Sequence, residues 1–535
     1  MTLCSAHAAQ KPNIIFIMAD DMGSGDVRAL NSKSRIPTPN LDRLSREGMT
    51  FTDAHSPSAV CTPTRYGVMT GRYCWRSRMK SGVLNGYGTP LIEPGRITVG
   101  SFLNDNGYAT ACVGKWHLGL GFVRKEKSNN KQDFDYSKSL TDGAHTHGFN
   151  FSFIIPASLD FPPYVYIKNG TVTAVPDRVQ PAVSFPGFLR EGPIGADFFM
   201  ENALEHLVDQ AVGFLSSRKG SDGKPFFLYL PLTSPHKPVL PHPRYRGSTK
   251  LGTYGDFIFQ TDAMVGKVLR ALDEEGLSKD TLIFFTSDNG SFMYNRLGDP
   301  DHLDDATVQA YRPENHTSNG ALRGTKADVW EAGHRVPFFA RWPKKIEAGS
   351  KCSNTITHTD LFATCAELAG AKLPDNAAED SVSLLSALKG KAFTRDPIIN
   401  HDAPGDFAIR RGEWKLIIRS TPKGKRTAEK AGLPPVHLYN VSEDPRELNN
   451  RAEQYPELVS RLTKELRTII SNGRSTPGTL QQNAGQTWMP TDEKSPAAAA
   501  NTTVDGVTNK AREDVYAGEH NQKLPAMQKE ARGNE

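Results

Sequence analysis

Two short acidic clusters stand where a chain could hold a hard cation. Asp20-Asp21 ends an apolar run at residues 11–19, and Asp288-Asn289 ends a second run at residues 282–286. In open α/β sheets, ligands bind outside the carboxyl ends of the strands. If these two runs are neighbouring strands, Asp20, Asp21, Asp288 and Asn289 converge as three carboxylates and an amide oxygen. That donor set suits Ca²⁺ or Mg²⁺. Three unpaired carboxylates would repel one another, so a cation gives the cluster a reason to exist; taken singly, each pair is also ordinary turn chemistry. Cys61 stands apart from the other cysteines by its setting, Cys61-Thr62-Pro63-Thr64-Arg65, with Met69-Thr70-Gly71-Arg72 just beyond.

The elements that would position these groups follow from the apolar pattern. Runs at residues 11–19, 109–113, 226–232, 282–286, 336–341 and 414–418 have strand length, and several are apolar throughout, as strands buried on both faces are. Helical spacing appears at 40–47, 99–106, 196–218, 254–275, 359–369 and 456–471. Strands alternating with helices predict an α/β fold with a large, mostly parallel sheet flanked by helices. From about residue 396 the texture changes. Short runs at 407–411, 414–419 and 437–441 precede one helix, which predicts a smaller antiparallel sheet with a helix packed on it. The expected boundaries are a leader at 1–10, a catalytic domain at 11–395, a C-terminal α+β subdomain at 396–475 and a polar tail at 476–535. The tail is expected to be draped over the surface or disordered.

The segment from Cys61 to Arg72 resembles the signature of the formylglycine-dependent (type I, arylsulfatase-like) sulfatases of the alkaline phosphatase superfamily: Cys-x-Pro-x-Arg, then Thr-Gly-Arg. The rest of the family pattern follows in order. Gly114-Lys115-Trp116-His117, Ser234-Pro235-His236, Ser287-Asp288-Asn289-Gly290, Arg323-Gly324-Thr325-Lys326 and Glu331-Ala332-Gly333-His334-Arg335 are similar to family blocks, with Ala332 where Gly is usual. The resemblance covers about residues 11–474. It implies that Cys61 is oxidised to formylglycine by a maturation enzyme that reads Pro63 and Arg65. It also implies one Ca²⁺ per chain, held by Asp20, Asp21, Asp288, Asn289 and the modified residue 61. Arg65, Lys115, His117 and Lys326 would offset charge on the transferring group, Asp288 would take the proton of the attacking hydroxyl, and His236 would protonate the leaving oxygen. His117 would be the base that regenerates the aldehyde. Without the resemblance, Lys115 and Lys326 read equally as surface charges, His117 as a core histidine and Arg65 as a helix cap.

The expected activity is hydrolysis of sulfate esters on carbohydrates, such as 6-sulfated galactose or N-acetylgalactosamine, or on aryl groups. Ser158, His316, Trp330 and His334 are candidates to contact substrate. The competing readings are a phosphonate monoester or phosphodiester hydrolase with the same nucleophile, and an inactive protein that binds sulfated glycans. A net charge of +5, with no dense Lys/Arg block, gives no reason to expect nucleic acid. No run approaches the ~18 apolar residues of a membrane span. Small residues near position 10 resemble a cleavage site without its charged and apolar regions, so a truncated signal and a periplasmic or secreted location are expected. Six cysteines in 535 residues are too few for a disulfide framework, and a Cys352–Cys365 bridge is the one pairing considered.

Overall fold

A computed structural model describes residues 11–485, apart from 127, 130–131, 185–186, 221–222, 294–314, 344, 396, 420, 422–423 and 427–431. The expected leader at 1–10 and the tail from 486 onward lie outside the described residues. The main sheet contains β1 (Asn13–Asp20), β2 (Met49–Phe51), β3 (Ala109–Lys115), β4 (Phe151–Ile155), β5 (Ile167–Lys168), β6 (Thr171–Val172), β7 (Phe226–Pro235), β8 (Thr281–Ser287), β9 (Phe338–Arg341) and β10 (Ser350–Cys352). Their order is β10-β2-β9-β8-β1-β7-β3-β4-β5-β6. The five central strands, β8 to β4, are parallel, and antiparallel pairs flank them.

Alternate residues of β1 explain why it reads as one unbroken apolar run. Ile15, Ile17 and Ala19 join the core on one face, with helices α1 (Pro39–Glu47), α4 (Ala203–Ser216) and α5 (Gly252–Glu274). Ile14, Phe16 and Met18 join the core on the other, with α2 (Cys61–Thr70), α3 (Val99–Asp105) and α6 (Asp360–Leu368). A strand with helices on both faces has no polar side to show.

The predicted C-terminal sheet is present as β11 (Ile398–His401), β12 (Phe407–Arg411), β13 (Trp414–Ile418) and β14 (Val436–Asn440), all antiparallel. One face packs on α7 (Pro456–Asn472) through Leu462, Leu466, Ile469 and Ile470, whose spacing puts them on one helical stripe. Gly473, in the left-handed region at φ 68°, ends that helix. Residues 476–485 run back over the body: Arg72, Arg76 and Lys80 donate to Gln482, Asn483 and Ala484. Cys61, Cys74, Cys112, Cys352 and Cys365 are buried free thiols, so the Cys352–Cys365 bridge is absent.

Sequence and structure differ mainly at short elements. Strands β2, β5, β6 and β10 have two or three residues each, too few for a period to show. The helix expected over 196–218 begins only at Ala203, after a short 3₁₀ turn at Met200–Asn202.

Gly114 shows how tightly the sheet's carboxyl edge is built. It has φ 129°, and a Cβ there would lie 1.9 Å from the Pro231 carbonyl oxygen of β7. Gly114→Ala therefore forces either the backbone angle or the β3–β7 spacing to change. It is expected to destabilise the protein by about 2–4 kcal/mol, read as a lower denaturant midpoint. A midpoint within error of the wild type would contradict this close approach.

Candidate functional site

Parallel pairing of four strands delivers the site. Ala19 of β1 is in register with Ser287 of β8, so Asp20 and Asp21 emerge beside Asp288 and Asn289. On the other side Asp20 is in register with Pro235, which places His236 at the same edge. β3 ends at Lys115, and the chain passes through Trp116 to His117, whose backbone N–H donates to Pro156 in the loop after β4. Helix α2 begins at Cys61, and all ten of its residues are buried. Three backbones near this edge adopt left-handed angles without glycine: Asp21, His117 and Ala327, at φ 68°, 55° and 76°. Such strain persists where the surroundings hold it, and functional sites are where it collects.

Charges alternate in space. Lys115 Nζ lies 2.7 Å from Asp20 Oδ2, and Lys326 Nζ lies 2.7 Å from Asp21 Oδ1. The Arg65 guanidinium grips Asp288 Oδ2 at 2.6 and 3.2 Å and also donates to the Lys115 carbonyl at 2.9 Å. The Cys61 sulfur sits 3.7 Å from Asp20 Oδ1 and 3.4 Å from Lys326 Nζ. The His236 ring lies between acids: Nε2 is 3.7 Å from Asp21 and Nδ1 is 3.8 Å from Asp160. Its Nδ1 hydrogen bonds to the Lys237 carbonyl. His117 Nε2 bonds the Leu84 carbonyl at 2.6 Å, and its Nδ1 has no hydrogen-bond partner among the described residues.

Burial and neighbours set the protonation states. Burial pushes Asp21 up to about 6, reinforced by Asp20 and Asp288 and opposed by Lys326. Burial raises Asp20 too, but Lys115, Arg65 and Lys326 outweigh it, and the carboxyl titrates below its usual range. Burial pushes the Cys61 thiol up to about 12 despite Lys115 and Lys326. A thiol held protonated is a poor nucleophile, so chemistry at position 61 calls for a group other than the thiol. His117 and His236 are held neutral by burial, helped by Lys115 and Arg65 at the first and by Lys326 and Lys115 at the second.

The donor set fits a hard divalent cation. Asp20, Asp21, Asp288 and Asn289 are fully buried at one edge, and Asn289 Oδ1 has no hydrogen-bond partner among the described residues. Ligand atoms of Asp20, Asp21, Cys61 and His236 lie within 4.8 Å of one another. A buried, unsatisfied amide oxygen beside paired carboxylates is what an oxygen-preferring ion would complete. Both Asp288 oxygens are engaged, Oδ2 by Arg65 and Oδ1 by the Asp21 N–H at 3.2 Å. Its place is therefore that of an anchor more than of a free base, and the carboxylate touching the residue-61 sulfur is that of Asp20.

Three of the four residues expected at the substrate lie elsewhere. His316 is bonded to Asp26 at 3.0 Å and braces the turn that follows Asp21. Trp330 is buried beneath Arg323, whose guanidinium is 3.6 Å from its ring, and packs edge-on against His437 and Tyr439 of β14. His334 bonds His55 at 2.9 Å and Lys415 at 3.1 Å, inside a network with Glu331, Asp53 and Arg410 that joins the two sheets. His334 has both ring nitrogens bonded inside the fold and His316 is tied through Nε2 to Asp26, which sequence spacing does not reveal. Ser158 sits in the loop after β4, buried, with no partner for its Oγ among the described residues. Asp160 in that loop, Arg190 just ahead of the strand Gly192–Gly195, and Lys237 after His236 are groups that spacing did not single out. Adjacency to His236 could have flagged Lys237; Asp160 and Arg190 meet only through folding.

Comparison with known proteins agrees with this geometry. The family model described as Sulfatase matches residues 12–371, and that described as N-sulphoglucosamine sulphohydrolase, C-terminal, matches residues 325–472. An N-acetylgalactosamine-6-O-sulfatase of Bacteroides thetaiotaomicron is 34% identical over 500 residues, covering 86% of this chain and 93% of the relative. The human (Homo sapiens) steryl-sulfatase is 33% identical over 439 residues, covering 73% and 72%. A solved 6S-sulfatase from a study of glycosaminoglycan metabolism by Bacteroides thetaiotaomicron superposes with a TM-score of 0.73 at 34% identity, covering 86% of this chain and 99% of that one. The phosphonate monoester hydrolase of Agrobacterium radiobacter shares the fold, with a TM-score of 0.55 at 19% identity over 86% of this chain and 96% of that one. By sequence and by fold, the chain belongs to the sulfatase family, enzymes that hydrolyse sulfate esters.

Proposed function

We propose that this chain removes sulfate from 6-sulfated galactose or N-acetylgalactosamine, with formylglycine made from Cys61 and one Ca²⁺ at the carboxyl edge of the sheet. The observation that carries the chemistry is the placement of the residue-61 side chain between the Asp20 carboxylate and the Lys326 ammonium, where burial pushes its thiol up to about 12. The sugar follows from the N-acetylgalactosamine-6-O-sulfatase that this chain resembles over nearly its whole length. The formylglycine hydrate would supply the attacking oxygen, and a Ca²⁺ held by Asp20, Asp21, Asp288 and Asn289 would supply Lewis-acid stabilisation of charge.

The chain's own groups account for the remaining tasks. Arg65 and Lys115 lie behind the carboxylates and fix them, so the oxygens need not reorganise as charge moves. Lys326 reaches both Asp21 and residue 61 and is placed to meet a sulfuryl oxygen. Lys326 and Lys115 also bias His236 toward its neutral form. A sulfate monoanion arriving beside those ammonium groups removes that bias and lets Nε2 carry the proton that the leaving oxygen takes. His117, with Nε2–H donating to Leu84, offers Nδ1 as a proton acceptor. The other parts of this reading are a periplasmic or secreted location and a maturation enzyme acting at position 61. Among the described residues, no helix is long and apolar enough to cross a membrane.

The decisive experiment joins mass spectrometry of the peptide containing position 61 with sulfate release, on protein made alongside a formylglycine-generating enzyme. An aldehyde at position 61 is expected, together with release from 6-sulfated sugars and little from a phosphodiester. An unmodified thiol in fully active protein would overturn the mechanism, and release only from other sulfate positions would overturn the sugar. Lys326→Ala is expected to lower kcat by about 10²–10³-fold, as loss of one preorganised charge contact does. A drop under threefold would remove Lys326 from the reaction. Ca²⁺ at 100 times its Kd contributes about 2.7 kcal/mol to the folded state. Adding it to chelator-treated protein is therefore expected to raise Tm, and Asp21→Asn to lose most of that rise. An equal rise in both proteins would place the ion elsewhere.

A further inference from the structure

Beside His236 lies a second polar group with its own unmet valence. Asp160 is only 3% exposed, and its Oδ1 has no hydrogen-bond partner among the described residues. Its Oδ2 is taken by Arg190 Nη1, and its backbone carbonyl accepts from the Arg190 side chain and from the Tyr164 hydroxyl. The nearest ring nitrogen, His236 Nδ1, is 3.8 Å away and turned to the Lys237 carbonyl. Arg190 is held over the Phe161 ring at 4.2 Å and near Phe188 at 4.9 Å, so the pair is fixed before any ligand arrives. Leaving a buried carboxylate oxygen unbonded costs about 1–3 kcal/mol or more, a cost a ligand can remove.

The charges around this oxygen say what the ligand must be. A second anion would face the carboxylate, and a cation would face Arg190 and Lys237, whose ammonium lies 4.7 Å from the Phe188 ring. A neutral hydrogen-bond donor satisfies both. We propose that Asp160, locked by Arg190, is a specificity-determining residue that accepts a hydrogen bond from a free hydroxyl of the sugar ring bearing the sulfate. The clamp flanks His236, so the hydroxyl it reads lies on the ring whose ester oxygen leaves, within one ring's reach. This rests on the sulfated-sugar reading above and adds to it a requirement: the target ring must carry an unmodified hydroxyl near the sulfated position.

The test compares kcat/KM on a 6-sulfated N-acetylgalactosamine and on 4-nitrophenyl sulfate, which has no ring hydroxyl, for wild type and Asp160→Asn. Arg190 needs an oxygen, so the amide would turn its NH₂ toward the open side and present a donor where an acceptor is required. The sugar-to-aryl ratio is expected to fall about 10- to 100-fold, the effect of losing one charged hydrogen bond. Equal losses on both substrates would instead mean that Asp160 acts through His236, and would overturn the proposal. A second measurement needs no variant: 3-deoxy and 4-deoxy forms of the sulfated sugar. One of them is expected to lose a similar factor with wild type and less than about threefold with Asp160→Asn. Full activity of wild type on both deoxy sugars would overturn the clamp alone. Activity on the aryl ester with none on any sulfated sugar would overturn the sugar reading, and the clamp with it.

Discussion

Three carboxylates buried at one sheet edge are the constraint on which the rest of the structure depends. Asp20, Asp21 and Asp288 repel one another in a site closed to water, and the fold answers with Lys115, Lys326 and Arg65, each paired at 2.6–2.7 Å. Carboxylates and cations balance in number, so the proposed divalent ion and sulfate monoanion would arrive as additions. Ion pairs this deeply buried recover their desolvation cost only with good geometry and further hydrogen bonds. Rigid strand ends give that geometry, and the left-handed backbone at Asp21 turns its N–H onto Asp288.

The same logic explains the two kinds of buried histidine. His117 and His236 each keep one ring nitrogen bonded to a backbone carbonyl, which fixes the ring and leaves the other nitrogen for chemistry. His334 directs both ring nitrogens into an internal network, and His316 is held through Nε2 by Asp26; both serve as braces. By sequence alone nothing tells the four apart in this respect; what separates them is the partners their ring nitrogens meet, a property of packing.

Much of the fold was legible because it is local. The continuous apolar runs of the central strands follow from helices covering both faces, and the stripe on α7 follows from helical spacing. Two-residue strands such as β5 carry no period and were invisible. The family was legible from Cys61-Thr62-Pro63-Thr64-Arg65 and the blocks that follow it, because motif order along the chain survives without any knowledge of contacts. The Asp160–Arg190 pair was not: the two residues are 30 apart and meet across a loop pairing that no spacing rule describes.

The sequence by itself determined the element types, the two-sheet plan, the acidic and basic residues of the site and the family they belong to. Each of these is written in residue identity and short-range periodicity. Only the tertiary structure decided that Lys326 rather than another lysine touches residue 61, that Asp288 anchors Arg65, that Trp330 and His334 join the two sheets, and that Asp160 keeps an open oxygen. Those are outcomes of strand register and burial. They depend on which distant segments lie side by side, and a one-dimensional pattern carries that only where a family motif has recorded it.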